Sequence, residues 1–368
     1  MKANTLLFLS FFLLPLCGSL SLPPKGPSGS SSEEIHLLKD KDLPLAFVLV
    51  KVNGVQKKFL LDTGAPTLLL VNSQTELRQL TISDSTKVYD AAGQASTIYR
   101  VKEATSLELG ALTIRFNEMK AILLPPGQLA DLHVAGIVGR DYIDKFDWTF
   151  DFRQNVAHLY KPGKAPSPTP DFCPIPAFRA KGGDFFVIMT SSANIADTVQ
   201  IDTGFTGTLL LPKARALVAP VVQRVGLAAT VAVSSKTDTT QLWVAPWVQF
   251  ENLRLEQAPV AASVGRSQRN LLGMRFFREF EVIYQAKTHT FWLRPYASSY
   301  QDSTRRTALK AIGQRRYVVQ ALTLPAPNGV HVGDTVRLGP GQILPESTLT
   351  TLLPWAPTRV SCVPAAKH

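Results

Sequence analysis

An Asp-Thr-Gly tripeptide occurs twice in this chain, beginning at Asp62 and again at Asp202. Each copy follows an apolar run, so we expect each carboxylate at the end of a buried strand. Two carboxylates that face each other repel, and one of them therefore keeps its proton at moderate pH. The ionised group can then accept a proton from a water while the other donates a proton to a carbonyl oxygen. The pair predicts general acid–base chemistry at one shared site.

The other residues of each tripeptide are suited to holding that site together. Gly64 and Gly204 allow a tight turn and a close approach of the backbone. Thr63 and Thr203 can hydrogen-bond to each other across a local two-fold axis, which would lock the two loops. The sequence therefore predicts a rigid pair of loops around the two carboxylates.

An internal repeat supports the pairing of the two loops. The second tripeptide begins 140 residues after the first. A motif of two apolar residues and a glycine ends at Gly139 and recurs at Gly273, 134 residues later. Two copies of one unit therefore run in tandem, and a Pro-rich stretch at residues 162–170 lies between them.

Short β-rich runs surround both tripeptides. An Asn53-Gly54 pair separates the first two runs and is a strong hairpin signal. Helical periodicity is sparse along the chain, so the predicted class is all-β. The predicted strands are 46–52, 58–61, 68–71, 185–189, 198–201 and 209–211.

Four segments resemble the pepsin/retropepsin superfamily of aspartic proteases. They are LLDTGAPTLLL at 60–70, GIVGRDYI at 136–143, VQIDTGFTGTLLLP at 199–212 and NLLGMRFF at 270–277. The resemblance covers about residues 35–295 and implies a two-lobed acid-protease fold formed by internal duplication. It implies an aspartic endopeptidase with Asp62 and Asp202 as the catalytic dyad. Peptides or proteins would be the substrates, and no cofactor or metal would be needed.

The resemblance also assigns supporting roles. Thr63 and Thr203 would grip each other, and the strands ending at Gly139 and Gly273 would support the two aspartates. Each copy spans about 120 residues, closer to a retropepsin subunit than to a pepsin lobe. We therefore expect a covalent pseudo-dimer of retropepsin-like halves, of the exported bacterial type. A monomer would then suffice, because one chain brings both aspartates.

A flap over the cleft is a further expectation from the family. Residues 89–94 fall between two β-rich segments, with Gly93 at the predicted hairpin tip. Ala92 and Tyr89 are candidate substrate contacts, although Tyr89 is equally an ordinary hairpin side chain. In the second copy, residues 234–239 match this stretch but contain no glycine.

The second copy departs from the family pattern. Phe205 follows Gly204, where the family usually has a small residue, and is a candidate to shape the cleft beside Asp202. Met274 stands where the first copy has Arg140. A non-catalytic peptide-binding or inhibitor-like protein on the same fold therefore remains the alternative function.

The N-terminus predicts export. Lys2 precedes an apolar run at 6–16 that is too short to span a bilayer, as in a signal peptide. The product would be periplasmic or secreted, and a lipid anchor at Cys17 is the alternative. No later segment predicts a transmembrane helix. The predicted segments are a signal peptide (1–21), a linker (22–34), lobe 1 (35–161), a Pro-rich linker (162–174), lobe 2 (175–295) and a C-terminal segment (296–368).

The C-terminal segment leaves two alternatives open. Val318-Val319 and the stretch at 329–336 weakly resemble a PDZ domain, which would bind an extended peptide as an added strand. The alternative is an extension packed on the protease lobes. Cys173 and Cys362 remain after signal removal, and whether they form a disulfide also stays open.

Composition excludes several other classes. The 368 residues are 45% hydrophobic and 18% charged, which is typical of a globular protein rather than a disordered one. The formal net charge of +11 could favour nucleic acid, but no zinc-knuckle spacing, aromatic-basic motif or basic helical stripe accompanies it. The six histidines show no metal-ligand spacing. We therefore predict neither nucleic-acid nor metal binding.

Overall fold

The fold is that of a computed structural model. It describes residues 32–39, 44–89, 95–102, 105–110, 112–124, 133–193, 196–212, 223–231, 237–263, 269–296, 307–313, 316–323, 335–337 and 359–362. The bounds of its elements follow in chain order.

The first part of the chain contains β1 (Glu33–His36), β2 (Leu38–Lys39), β3 (Ala46–Val52), β4 (Val55–Asp62), β5 (Leu68–Val71), α1 (Gln74–Arg78), β6 (Ile82–Tyr89), β7 (Ala95–Val101), β8 (Thr105–Leu109), β9 (Leu112–Phe116), β10 (Met119–Leu123), β11 (Gly136–Gly139), α2 (Arg140–Ile143), β12 (Asp147–Asp151) and β13 (Val156–Tyr160). The second part contains β14 (Cys173–Pro176), β15 (Phe178–Arg179), β16 (Phe185–Ser191), β17 (Ala196–Asp202), β18 (Leu209–Pro212), β19 (Gln223–Val231), β20 (Thr237–Phe250), β21 (Leu253–Ser263), β22 (Leu271–Gly273), α3 (Met274–Phe277), β23 (Phe280–Gln285) and β24 (Thr290–Pro295). The C-terminal strands are β25 (Thr307–Gly313), β26 (Arg316–Thr323), β27 (Thr335–Arg337) and β28 (Arg359–Cys362).

The sheet of lobe 1 is built around the strand that ends at the first aspartate. Its order is β6-β7-β10-β5-β11-β4-β3-β8-β9, with β2 paired to β3. Strand β11 lies between two partners, parallel to β4 and antiparallel to β5. This register sets Gly139 beside Asp62. Residues 59–61 of β4 are all buried, as expected for a central strand that is apolar on both faces.

The sheet of lobe 2 repeats that arrangement. Strand β22 lies parallel to β17 and antiparallel to β18, and its register sets Gly273 beside Asp202. The described strands run in the order β15-β16-β17-β22-β18-β21-β20-β19-β26-β25. The all-β prediction is confirmed, and the architecture is consistent with a two-lobed acid-protease fold.

A third sheet joins the two lobes. Its order is β1-β13-β12-β23-β24-β14, so strands of both lobes alternate within it. Buried aromatic side chains, including Trp148 and Tyr284, occupy its interior. The carboxylate of Asp147, also fully buried, accepts backbone N–H groups from residues 163–165 and from Ala286.

The Pro-rich segment predicted as a linker is thereby held against this sheet. The four donors satisfy the Asp147 carboxylate, which would otherwise be costly to bury. Strand β14 begins at Cys173, where it pairs with β24.

The described C-terminal strands continue the sheet of lobe 2. Residues 321–323 of β26 pair with residues 226–228 of β19, and β25 and β27 pair with β26. Strand β28 pairs with β21, and a disulfide joins Cys362 to Cys173 of the inter-lobe sheet. These pairings are those of an extension on lobe 2. The other residues of the predicted PDZ-like segment lie outside the described residues.

No helix within the described part of the chain combines the length and apolar character needed to cross a membrane.

Candidate active site

Two strands deliver the carboxylates from opposite lobes. Asp62 is the last residue of β4 and Asp202 the last residue of β17. The residues that precede each are buried, so both strands end in the interior of their sheets. Asp62 is itself buried, with only 8% of its surface exposed.

Reciprocal hydrogen bonds between two threonines hold the loops together. The hydroxyl group of Thr63 donates to the carbonyl oxygen of Ile201 at 2.9 Å, and that of Thr203 donates to the carbonyl oxygen of Leu61 at 3.0 Å. Each hydroxyl oxygen also accepts the backbone N–H of the other threonine, at 3.0 and 3.1 Å. Each hydroxyl group therefore donates one hydrogen bond and accepts another across the interface. These four bonds fix the two loops as one unit.

The glycines allow the carboxyl groups to meet. A Cβ added to Gly64 would collide with the carboxyl group of Asp202, and one added to Gly204 would collide with that of Asp62. Each glycine therefore leaves the space that the opposite aspartate fills. Neither position has room for a larger residue.

The two carboxyl groups accept different numbers of hydrogen bonds from backbone N–H groups. Oδ1 of Asp62 accepts the N–H of Gly64 at 2.7 Å and the N–H of Gly204 at 3.2 Å. Oδ1 of Asp202 accepts the N–H of Phe205 at 3.0 Å. The two carboxyl groups also hydrogen-bond to each other, which requires that they share a proton.

The pKa values separate the two carboxyl groups. Burial, and then the negative charge of Asp62, hold the pKa of Asp202 well above its usual range. Burial also raises the pKa of Asp62, but hydrogen bonds from Gly64, Asp202 and Gly204 and the positive charge of Arg140 oppose that rise. Asp202 is therefore the group that keeps the shared proton, and Asp62 is the group that ionises first.

Side-chain hydrogen bonds support the loop in lobe 1. Oδ1 of Asp141 accepts both the N–H of Thr67 at 2.7 Å and its hydroxyl at 2.5 Å. The Thr67 hydroxyl oxygen in turn accepts the N–H of Gly139 at 3.0 Å. Since Gly139 lies beside Asp62 in the sheet, this chain of bonds fixes the end of β11 against the aspartate loop.

Arg140 connects this loop to lobe 2. Its guanidinium group donates to the carbonyl oxygen of Gly64 at 3.2 Å and to that of Gly182 at 3.1 Å. It also forms an ion pair with Asp184 at 3.0 Å. The guanidinium group of Arg140 therefore contacts both the Asp62 loop and the turn before β16.

An aromatic ring and backbone hydrogen bonds support the loop in lobe 2. Gly273 donates its N–H to the carbonyl oxygen of Thr208 at 2.9 Å, where Gly139 uses the Thr67 hydroxyl. The ring of Phe205 fills the space beside Gly207 and Gly273, so that a Cβ on either glycine would collide with it. The half-buried Phe205 ring therefore packs beneath its own loop.

The structure brings together most of the residues singled out from sequence. The two aspartates, their threonines and glycines, and Gly139 and Gly273 all meet at this site. The strands on either side of the predicted flap, β6 and β7, pair antiparallel up to Tyr89 and Ala95. Its predicted tip, Ala92 and Gly93, lies outside the described residues.

Two contributors were missed by sequence reasoning. Thr67 was read only as part of an apolar strand motif, and Arg140 only as a difference from Met274. For Arg140 a signal was available in the repeat, because the residue after Gly139 and Gly273 is charged in the first copy alone. Thr67 gave no such signal, since a threonine also precedes the apolar run of the second copy, at Thr208. The described residues contain no group of three or more His, Cys, Asp or Glu side chains that could hold a metal ion.

Comparisons with known proteins give one family match, which lies in lobe 1. A profile of the family described as aspartyl protease matches residues 48–142, a span that contains Asp62 and Gly139. Among solved structures, basic 7S globulin from soybean is similar with a TM-score of 0.44 and 12% identity, covering 72% of this chain and 95% of that chain. No curated protein matches. The family match supports a protease-like function for this chain.

Proposed function

We propose that this protein is an aspartic endopeptidase that hydrolyses peptide bonds with one dyad, Asp62 and Asp202. The observation that carries the proposal is the reciprocal threonine grip. It places two carboxyl groups of unequal pKa in contact, at the meeting point of two lobes. A purely structural role would not require two carboxyl groups, one buried and one half-buried, to share a proton.

The unequal carboxyl groups suit the two halves of the reaction. The ionised Asp62 accepts a proton from the attacking water, while the protonated Asp202 donates its proton to the carbonyl oxygen of the scissile bond. The oxygen of the water bonds to the carbonyl carbon, giving a tetrahedral diol. As the C–N bond breaks, Asp62 passes its proton to the leaving nitrogen. One hydroxyl of the diol gives its proton to Asp202 as it becomes the carbonyl oxygen of the new carboxyl group, so the dyad again holds one proton.

The paired architecture supports a monomeric enzyme made of two retropepsin-like halves. Each half supplies one aspartate, one threonine and one supporting glycine strand. The chain therefore completes its own site without a second copy.

Export is part of this proposal. The disulfide between Cys173 and Cys362 supports an oxidising compartment, periplasmic or extracellular. Mass spectrometry of the mature protein tests it: a chain that begins after residue 21 supports soluble export, and a lipid on Cys17 supports the anchored alternative. A chain retaining residues 1–21 would contradict both.

The test of catalysis is cleavage of a mixed peptide library from pH 3 to pH 8. We expect the wild type to cleave and both Asp62→Asn and Asp202→Asn to lose at least about a thousandfold in rate, because each removes one partner of a cooperating pair. Asp171→Asn, at an exposed carboxylate outside the site, is the matched control.

The outcomes separate the two functions considered from sequence. Cleavage that survives in either dyad variant would show that the hydrolysis comes from elsewhere. Peptide binding by the wild type without turnover at any pH would establish the non-catalytic alternative instead.

A further inference from the structure

The two lobes carry matching pairs of strands at one end of their sheets. From that end, the sheet of lobe 1 runs β6-β7-β10-β5-β11-β4-β3, and the sheet of lobe 2 runs β19-β20-β21-β18-β22-β17-β16. Every neighbouring pair has the same relative direction in both lobes. The β19–β20 pair of lobe 2 is therefore the counterpart of the β6–β7 pair, whose strands flank the predicted flap.

The outer edges of these two pairs differ. Within the described residues, β6 is the last strand of the lobe 1 sheet. In lobe 2, residues 226–228 of β19 pair with residues 321–323 of β26, and β25 pairs with the opposite edge of β26. The C-terminal strands thus continue the sheet of lobe 2 at the edge where the described sheet of lobe 1 stops.

The C-terminal strands also follow β19 along its length. Strands β19 and β20 pair as far as Val231 and Thr237, and β26 runs antiparallel to β19. The residues of β26 that precede 321 therefore lie toward Val231, and residues 316–318 among them pair with β27. Strands β26 and β27 together line the part of lobe 2 that corresponds to the flanks of the predicted flap.

A disulfide fastens the far end of the C-terminal segment. The segment leaves the inter-lobe sheet after β24, and its last described strand, β28, pairs with β21. Cys362 of β28 is bonded to Cys173, and Cys173 is the register partner of Leu293 in β24. The chain that leaves β24 is therefore bonded back to the strand next to β24, which makes the segment a closed loop.

A closed loop that pairs with β19 restrains the β19–β20 pair. Strands at the end of a sheet have few contacts and open locally at low cost in free energy. Pairing with β26 adds backbone hydrogen bonds on the outer edge of β19, and attachment at both ends limits the distance that β26 can travel. To move away from its sheet, the β19–β20 pair must either separate from β26 or displace a segment held at both ends.

We propose that strands β25 to β28 form a strap that holds the β19–β20 pair of lobe 2 in place and keeps its side of the cleft ordered for peptide binding. When the strap is released, the β19–β20 pair becomes mobile, and ordering it again on binding costs free energy. The effect on cleavage rests on the proposed endopeptidase function, whereas the effect on the β19–β20 pair does not.

The experiment releases the strap in two independent ways. Cys362→Ser opens the disulfide at its exposed cysteine, and Ser361→Ala, in the same strand, is the matched control. Leu322→Pro removes the N–H at the centre of the β26 residues that pair with β19, and Leu322→Ala is its control. Amide hydrogen exchange of both strand pairs, and kcat and KM for a peptide from the mixed library, are measured for each protein.

The expected result is a local loss of order. Cys362→Ser and Leu322→Pro should each speed exchange in β19 and β20 by about tenfold or more, and should change exchange in β6 and β7 by less than about twofold. Losing the disulfide also lowers the free energy of unfolding of the whole chain, but that change would act on both strand pairs alike.

The kinetic effect should fall on KM. We expect KM to rise about threefold to tenfold in both release variants, because binding must then order the β19–β20 pair. The threonine grip that holds the dyad does not involve the strap, so kcat should change by less than about twofold. Ser361→Ala and Leu322→Ala should match the wild type in exchange and in KM.

Three results would overturn the inference. Unchanged exchange in β19 and β20 would show that the C-terminal strands do not hold this pair. Equal acceleration in both strand pairs would mean that the segment stabilises the fold as a whole. Faster exchange in β19 and β20 with an unchanged KM would remove the strap from peptide binding. No cleavage by the wild type would overturn the endopeptidase proposal, and the exchange data alone would then decide whether the strap exists.

Discussion

The two aspartate loops reach the same geometry by different means. Both end a central strand, both use the threonine grip, and both need a glycine that faces the opposite carboxyl group. The loop of lobe 1 is supported by the Thr67–Asp141 hydrogen bonds, whereas the loop of lobe 2 rests on the Phe205 ring.

The difference shows which features the site requires. Contacts made across the two-fold axis must match on both sides, because each half completes the other. Contacts beneath each loop face its own lobe, so hydrogen bonds and aromatic packing can replace each other there. The two loops also differ in charge. The positive charge of Arg140 lowers the pKa of Asp62, whereas Met274, at the corresponding position of lobe 2, is uncharged. The unequal pKa values of the dyad follow in part from this substitution.

The largest expected effect comes from the shared feature. Gly64→Ala and Gly204→Ala should each lower kcat/KM by about a hundredfold or more, because the added methyl group displaces the opposite carboxyl group. Gly182→Ala is the matched control, since a Cβ there would meet only Asp184, at 3.6 Å. If one alanine variant kept full activity, the two loops would not be equivalent at this position.

Thr67 and Phe205 should both stabilise the folded protein, Thr67 through hydrogen bonds and Phe205 through packing. Thr67→Val should cost about 1–3 kcal/mol, because it leaves the N–H of Gly139 without its acceptor and removes one of the two hydrogen bonds that the Asp141 carboxylate accepts from Thr67. Phe205→Ala should cost about 1–2 kcal/mol, less than for a fully buried ring because Phe205 is half-buried.

Denaturant unfolding of both variants measures these costs. Thr67→Ser keeps the hydroxyl and should stay within about 0.5 kcal/mol of the wild type. Phe205→Leu keeps most of the packing and should cost less than the alanine variant. Equal costs for Thr67→Ser and Thr67→Val would show that packing, rather than hydrogen bonding, supports lobe 1.

The two carboxyl groups should differ in how they couple stability to pH. The folded-state pKa of Asp202 is raised above its unfolded value, so the stability it contributes is full below the usual carboxyl pKa and is lost as pH rises through the raised value. Asp202→Asn should therefore flatten the fall in unfolding temperature on the alkaline side more than Asp62→Asn does.

Thermal unfolding from pH 3 to pH 8 checks this order. Glu279 titrates in the same window, because burial raises its pKa to about 7, and Glu279→Gln measures its separate share. A steeper fall in Asp202→Asn than in the wild type would contradict the assignment of the shared proton.

The smallest effect should be a shift in pH dependence. Arg140→Met gives lobe 1 the residue of lobe 2 and removes the charge that lowers the pKa of Asp62. The acidic limb of the kcat/KM profile, where Asp62 must ionise, should then move to higher pH. Arg140→Lys keeps the charge and should leave the limb nearly in place. A movement to lower pH in Arg140→Met would show that Asp62 is not the ionised partner.

Much of the site was predictable because its signals are local in sequence. Asp62 and Asp202 were found from a repeated tripeptide, and β4 and β17 from the apolar runs before them. The predicted hairpin at residues 89–94 corresponds to paired strands up to Tyr89. The role of Phe205 was not predictable, because whether its ring enters the cleft or packs under its own loop depends on space left by Gly207 and Gly273.

The C-terminal segment was less predictable for a related reason. Its β-rich runs are compatible with either a separate PDZ-like domain or strands added to lobe 2, because a strand pattern does not specify which strand it pairs with. Pairing of β26 with β19 is a long-range contact. The disulfide likewise depends on bringing Cys173 and Cys362 together, with their Cα atoms 5.6 Å apart, across 189 residues.

The sequence by itself determined the β class and predicted the duplication and the two aspartates of the candidate site, because strand periodicity and a repeated motif are properties of neighbouring residues. Only the tertiary structure decided which carboxyl group keeps the proton. This property depends on burial and on a charge contributed by a distant segment, Arg140 beside Gly64. Desolvation and hydrogen bonding act through space, so residue order alone does not fix them.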